Sequence, residues 1–162
     1  MTNTNVLTIN GGSSSIKFAL YQTGRTLERT FYGNIDRIGL PDMKLSFNDS
    51  AKNRQGGIDF AVADYKSAVN SLIDWLETQN WFSAVGAVGH RVVHGMKHME
   101  PEIVTSKLLD ELHRIELYDP DHLPGELKLI EAFHRRYPKL QQVVCFDTAF
   151  HRTMPRVAKM LP

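Results

Sequence analysis

VLTINGGSSSIKFAL, residues 6–20, is the stretch from which the rest of this chain is read. Side chains alternate at Val6, Thr8 and Asn10, and again at Ile16, Phe18 and Leu20, which predicts two strands joined by a tight connection. Gly11 and Gly12 permit a tight or left-handed path, along which successive backbone N–H groups can converge on an anion. Ser13, Ser14 and Ser15 add hydroxyl donors, and Lys17 adds positive charge. An ordinary hairpin with a serine-rich turn fits the same letters, so the wider chain has to decide. The stretch is not a P-loop: no lysine directly follows a suitably spaced second glycine, and an apolar strand follows in place of a helix. A phosphate bound here would be held by a strand–turn–strand element.

Composition sets the frame around that stretch. A chain of 162 residues can form one sizeable domain. With 42% apolar and 23% charged residues it reads as globular, and a formal charge of +1 gives no polyanion signal. Arg135 and Arg136 read as a solvated helix end, so no nucleic-acid partner is expected. Cys145 is the single cysteine and sits in the apolar run VVCF, where it is expected to be a small buried hydrophobe. No signal-like N-terminus or membrane-length apolar run is present, so no membrane partner and a cytoplasmic location are the expectations.

Outward from the hairpin, residues 26–35 and 43–47 are expected as further strands, and 48–57 as a polar surface loop. Residues 59–79 carry the strongest helical period, with Tyr65, Ala68, Val69, Leu72, Ile73 and Leu76 on one face and Asp59 as its cap. Residues 85–93 read as a strand that delivers His90, Arg91 and His94 near its exit; neighbours in a strand face opposite ways, so His90 and Arg91 should not share a face. Arg91 suits anion binding, a structural ion pair or a solvated position equally well in kind. Helices are expected at 107–116, capped by Thr105 or Ser106, and at 126–137, with 118–125 breaking the path between them. A strand at 142–146 puts Asp147 at its carboxyl end, where open α/β sheets place ligands, although a turn or cap role is also available. The sum is an α/β domain: a mixed β-sheet with flanking helices.

Three phrases in order, NGGSSSIK (10–17), GHRVVHG (89–95) and VCFDTAFH (144–151), make the chain resemble the N-terminal half of the acetate kinase (acetokinase) family. That family belongs to the actin-like ATPase group with its ribonuclease H-like fold. The resemblance implies reversible transfer of the γ-phosphoryl group of ATP to acetate, with Mg²⁺ as the metal and ADP and acetyl phosphate as products. It implies that Asn10, Gly12, Ser13, Ser15 and Lys17 surround the transferring phosphate. Arg91 matches the residue that binds the carboxylate or acyl phosphate, and Asp147 the acidic residue associated with magnesium, with Asn10 arranging metal-bound water. Val93 and Leu117 match the acyl pocket, with Phe150 as a neighbour. Direct in-line transfer needs these groups to stabilise charge on the phosphoryl oxygens, and acetate needs no strong base.

Departures from the pattern are equally specific. Tyr118 stands where the family carries a phosphate-stabilising histidine, and a neutral phenol cannot supply imidazolium charge. Met96 replaces a second glycine after His94 and Gly95. Family members have two domains, so the resemblance implies that residues 1–162 are an N-terminal domain, truncated, with the C-terminal nucleotide-binding domain absent and the chain inactive alone. It also implies a homodimer in full-length form. A half of a propionate or other short-chain acyl kinase, and a nonenzymatic nucleotide- or partner-binding module, are the alternatives.

Overall fold

The computed structural model describes residues 5–60, 64–150 and 154, with Phe150 placed by its backbone alone. The opening alternation becomes a hairpin of β1 (Asn5–Gly11) and β2 (Ser15–Thr23), with Asn10 opposite Lys17 and Gly11 opposite Ile16. The Gly12 N–H closes the turn by donating to the Ser15 carbonyl at 2.8 Å. The left-handed path that the two glycines allow is not taken: Gly39 is the glycine with positive φ among the described residues. Gly11 is required for space, since a Cβ there would lie 2.7 Å from the Tyr65 hydroxyl and 3.2 Å from Leu129 Cδ2.

β3 (Leu27–Asp36) and β4 (Lys44–Asp49) extend the meander. The expected loop at 48–57 is half strand. Its second part begins β5 (Arg54–Asp59), which pairs antiparallel with β4. Gly56 disguises that strand, yet the glycine is what lets the Phe47 ring lie against it, 2.5 Å from where a Cβ would stand. Asp59 therefore ends a strand and caps nothing. The cap of α1 (Tyr65–Glu77) is Asp64, whose Oδ1 accepts from the Ser67 N–H at 2.8 Å.

β6 (Val85–Val92) returns parallel to β1. β7 (Glu102–Ile103) is a short antiparallel edge, and α2 (Ser106–Ile115) starts at its Thr105 cap. α3 (Leu123–Arg136) begins ahead of the expected residue 126 because Pro124 fits the first turn, where no intrahelical N–H bond is lost. β8 (Gln141–Phe146) runs parallel to β6, and α4 (Asp147–Phe150) follows at once. The sheet order is β5-β4-β3-β2-β1-β6-β8-β7.

Register explains where the core sits. Leu7 pairs with Leu20 and Val88, Ile9 with Phe18 and His90, and Val92 with Phe146, so the buried positions share one face. Among the described residues the buried sides of α1, α2 and α3 pack on that face. The opposite face carries Thr8, Ala19, Gly89 and Val143 in one cross-sheet row and Lys17, Asn10, Arg91 and Cys145 in the next. Cys145 is exposed for this reason, against the expectation of burial: Val144 and Phe146 take the core side, and strand alternation turns the thiol away. Among the described residues no helix is long and apolar enough to cross a membrane.

Candidate active site

β1, β6 and β8 are parallel, so their carboxyl ends reach the same edge of the sheet. Asn10 is next to last in β1, Arg91 is next to last in β6, and Asp147 is the first residue after β8. The three meet. The Arg91 guanidinium donates through Nε to both Asp147 oxygens, at 2.9 and 3.0 Å, and through Nη2 to Asp147 Oδ2. Its Nη1 donates to Asn10 Oδ1 at 3.1 Å. The fork of donors fits a planar carboxylate, and the Asp147 carboxylate raises the Arg91 pKa further above its ordinary range. Lys17 is exposed and opposes Asn10 across the hairpin, so its side chain leaves from the same face. Lys17, Asn10 and Arg91 thus form a polar row of the sheet, with Asp147 at its end and the turn of Gly12, Ser13 and Ser15 beside it.

The second and third phrases fit each other as solids. A Cβ at Gly95 would stand 2.5 Å from Phe146 Cδ1, and the Gly95 N–H donates to Thr148 Oγ1 at 3.3 Å. His90 faces the core, as alternation requires. Its Nε2 bonds Gln142 Oε1 at 2.8 Å, and burial pushes its pKa down to about 4, so it is a neutral structural group. In the turn after β6, Met96, which stands where the resemblance places a glycine, adopts the left-handed region at φ 51°. Its N–H donates to His94 Nδ1 at 3.2 Å.

The remaining expected residues are more scattered. Val93 directly follows β6. Leu117 and Tyr118 lie in a single 3₁₀ turn (Glu116–Tyr118) after α2 and are 89% and 70% exposed. Tyr118 helps line an open groove of about 590 Å³ with His94, Met96, Lys97, Arg114 and Ile115. The Phe150 side chain and His151 lie outside the described residues.

One group at the site was not found by reading the sequence. Glu126, in the first turn of α3, is buried, and both its carboxylate oxygens accept from the Val93 N–H at 3.2 Å. Burial pushes its pKa up to about 7; the Val93 bond and Arg91 work against that rise, and Asp119 and Asp147 add to it. A signal was available, because Glu126 precedes Leu129, Ile130 and Phe133 by three, four and seven residues and so shares their buried helical face. The sign of the consequence follows from the raised value. Below the ordinary glutamate range the group is neutral in both folded and unfolded chains; as pH rises to about 7 only the unfolded chain gains the charge freely, so Glu126 costs stability over that window. Glu126→Gln keeps an oxygen for Val93 and is expected to gain about 2 kcal/mol over wild type at pH above about 7, with solvent screening allowed for, and almost nothing at acid pH. Urea unfolding of both proteins across that range checks it; a gain that does not vary with pH would remove the buried charge from the account.

Asp147 and Asn10 present oxygen donors of the hard kind that Mg²⁺ takes, and among the described residues there is no cluster of three or more His, Cys, Asp or Glu that could hold a metal. Such a pair suits an ion held by one or two protein oxygens and completed by substrate phosphates.

The Acetokinase family matches residues 5–162. An acetate kinase of Deinococcus radiodurans is 38% identical over 153 residues, covering 94% of this chain and 38% of the relative. The crystal structure of a propionate kinase from Francisella tularensis superposes with a TM-score of 0.82 at 30% identity, over 95% of this chain and 39% of that one. Porphyromonas gingivalis acetate kinase gives a TM-score of 0.80 at 28% identity, over 95% and 40%. The chain spans about two-fifths of the length of the relatives it matches.

Proposed function

Because the chain belongs to the Acetokinase family, we propose that it supplies the carboxylate- and phosphate-binding half of an enzyme that transfers the γ-phosphoryl group of ATP reversibly to acetate. The observation that carries this reading is the Arg91 fork, fixed between Asp147 and Asn10 at the carboxyl ends of three parallel strands. An arginine so placed accepts the carboxylate of acetate, or the acyl phosphate in reverse, in place of Asp147. Lys17 lies on the same row to offset charge on the transferring oxygens, and the Gly12, Ser13 and Ser15 turn offers hydroxyl and N–H donors to phosphate. Bound Mg²⁺ supplies charge neutralisation and orients the phosphates, and Asp147 and Asn10 would hold it. Acetate attacks directly, so no side chain acts as a strong base and no covalent enzyme intermediate forms. Val93, with Leu117 and Phe150, would border the acyl group. Tyr118 would donate one hydrogen bond where the family has a cation.

The chain spans about two-fifths of its relatives' length; we place the adenosine-binding portion in the remainder, so the 162-residue chain alone is expected to be inactive. The reaction belongs in the cytoplasm, where ATP and acetate meet. A short-chain acyl kinase is the second reading, favoured by the fit to the propionate kinase structure. The test is acetyl phosphate formation from Mg-ATP by the chain extended to its relatives' length, with acetate, propionate and butyrate assayed in parallel. One methylene is worth about 1–3 kcal/mol of discrimination, enough to rank the three. A folded full-length protein that turns over none of them would leave only a binding role.

A further inference from the structure

Behind the Arg91 row lies a carboxyl group to which the phosphoryl transfer gives no task. Glu126 is 2% exposed and holds the Val93 N–H with both oxygens, two residues beyond Arg91. The charged and titratable groups that face it come from four other elements: Arg91 on β6, Asp147 on α4, Asp119 in the turn before α3, and Tyr65 on α1. Two carboxyl groups, Asp147 and Glu126, therefore act on one guanidinium, and Asp119 adds its charge beside Glu126. Asp119 Oδ2 and the Tyr65 hydroxyl are buried and without a hydrogen-bond partner among the described residues, and Arg91 is the cation among the groups that act on Glu126. An anion arriving at Arg91 meets the negative charge of Asp147 and of ionised Glu126.

We propose, resting on the functional reading above, that Glu126 is a positioning residue that fixes the exit of β6 through Val93 while its negative charge restrains anion binding at Arg91. The two actions separate cleanly. A neutral side chain of the same shape keeps the clamp and lifts the restraint, because the first needs only an acceptor oxygen and the second needs the charge. Burial raises the Glu126 pKa to about 7, so the restraint fades as pH falls below that value.

Sulfate is the probe, since its own charge is constant over the range. Calorimetric titration of the 162-residue chain compares wild type, Glu126→Gln and Glu126→Ala on both sides of neutrality. At a pH of about 8.5, Glu126→Gln is expected to bind sulfate about tenfold tighter than wild type, and at about 5.5 the two should coincide. Glu126→Ala, which loses the clamp, should bind more weakly than Glu126→Gln at both. A side chain that only props up the backbone gives the opposite sign, so a Glu126→Gln protein that binds no tighter than wild type at the higher pH overturns the inference alone. Carboxyl ¹³C titration of wild type adds a direct reading: sulfate must raise the Glu126 midpoint, and an unmoved midpoint also overturns it. Wild type that takes up no sulfate at either pH, or an Arg91→Ala variant that binds as well as wild type, rejects Arg91 as the anion site and this inference with it.

Discussion

Arg91→Ala, made in the chain extended to its relatives' length, is expected to lower kcat/KM for acetate by about a thousandfold. The size follows from geometry. Arg91 donates to both Asp147 oxygens and to Asn10 Oδ1, so removing it takes away the partner of an incoming carboxylate and leaves the Asp147 charge facing that anion unbalanced. Arg91→Lys should recover only part of the loss, because an ammonium keeps the charge and loses the fork. The effect on folding should be slight: the Arg91 and Asp147 side chains are 44% and 34% exposed, and pairs so exposed are worth about 0–1 kcal/mol. Steady-state kinetics beside urea unfolding makes the distinction. A drop of less than about tenfold, with stability unchanged, would take Arg91 out of the reaction.

Phe31→Ala is expected to cost about 4 kcal/mol of folding stability. Phe31 is 1% exposed on β3, and its ring lies 5.1 Å from Trp81, 5.5 Å from Phe47, 6.0 Å from Trp75 and 6.4 Å from Phe18, centre to centre. It thereby ties β2, β3 and β4 to α1 and to the turn that leads into β6. Large rigid rings anchored on a sheet cannot close over the space left by a missing phenyl group, so the cavity penalty adds to the lost burial. Leu27→Ala, at a position 67% exposed on the same strand, should stay within about 0.5 kcal/mol. Denaturant unfolding of the two variants reads the difference. Near-equal losses would mean that the aromatic cluster does not hold the meander to the helix.

The places where sequence reading failed share one cause, which is that the deciding contact lies far along the chain. Residues 48–57 look like loop because they are polar and contain glycine, yet Gly56 is there to admit the Phe47 ring. Asp59 looks like a helix cap and is the end of a strand paired with Lys44. Cys145 looks buried because its neighbours are apolar, whereas the described helices cover only the face that Val144 and Phe146 take. Gly11 and Gly12 look like conformational glycines, but Gly11 answers to the Tyr65 hydroxyl. Glu126 opens the helix expected over 126–137 and is sealed beneath Val93.

By itself the sequence determined what depends on neighbours: the strand alternation of the opening hairpin, the periods of the three long helices, the opposite facing of His90 and Arg91, and the three phrases that carry the family likeness. These follow from backbone periodicity and from local chemistry, which act over a few residues. Only the tertiary structure decided that Arg91 would be forked between Asp147 and Asn10, that Glu126 would sit buried behind them, and which face of the sheet the described helices would cover. Those outcomes depend on parallel strands bringing their carboxyl ends to one edge, and on packing that sets the dielectric around each charge, and neither is written in any short run of residues.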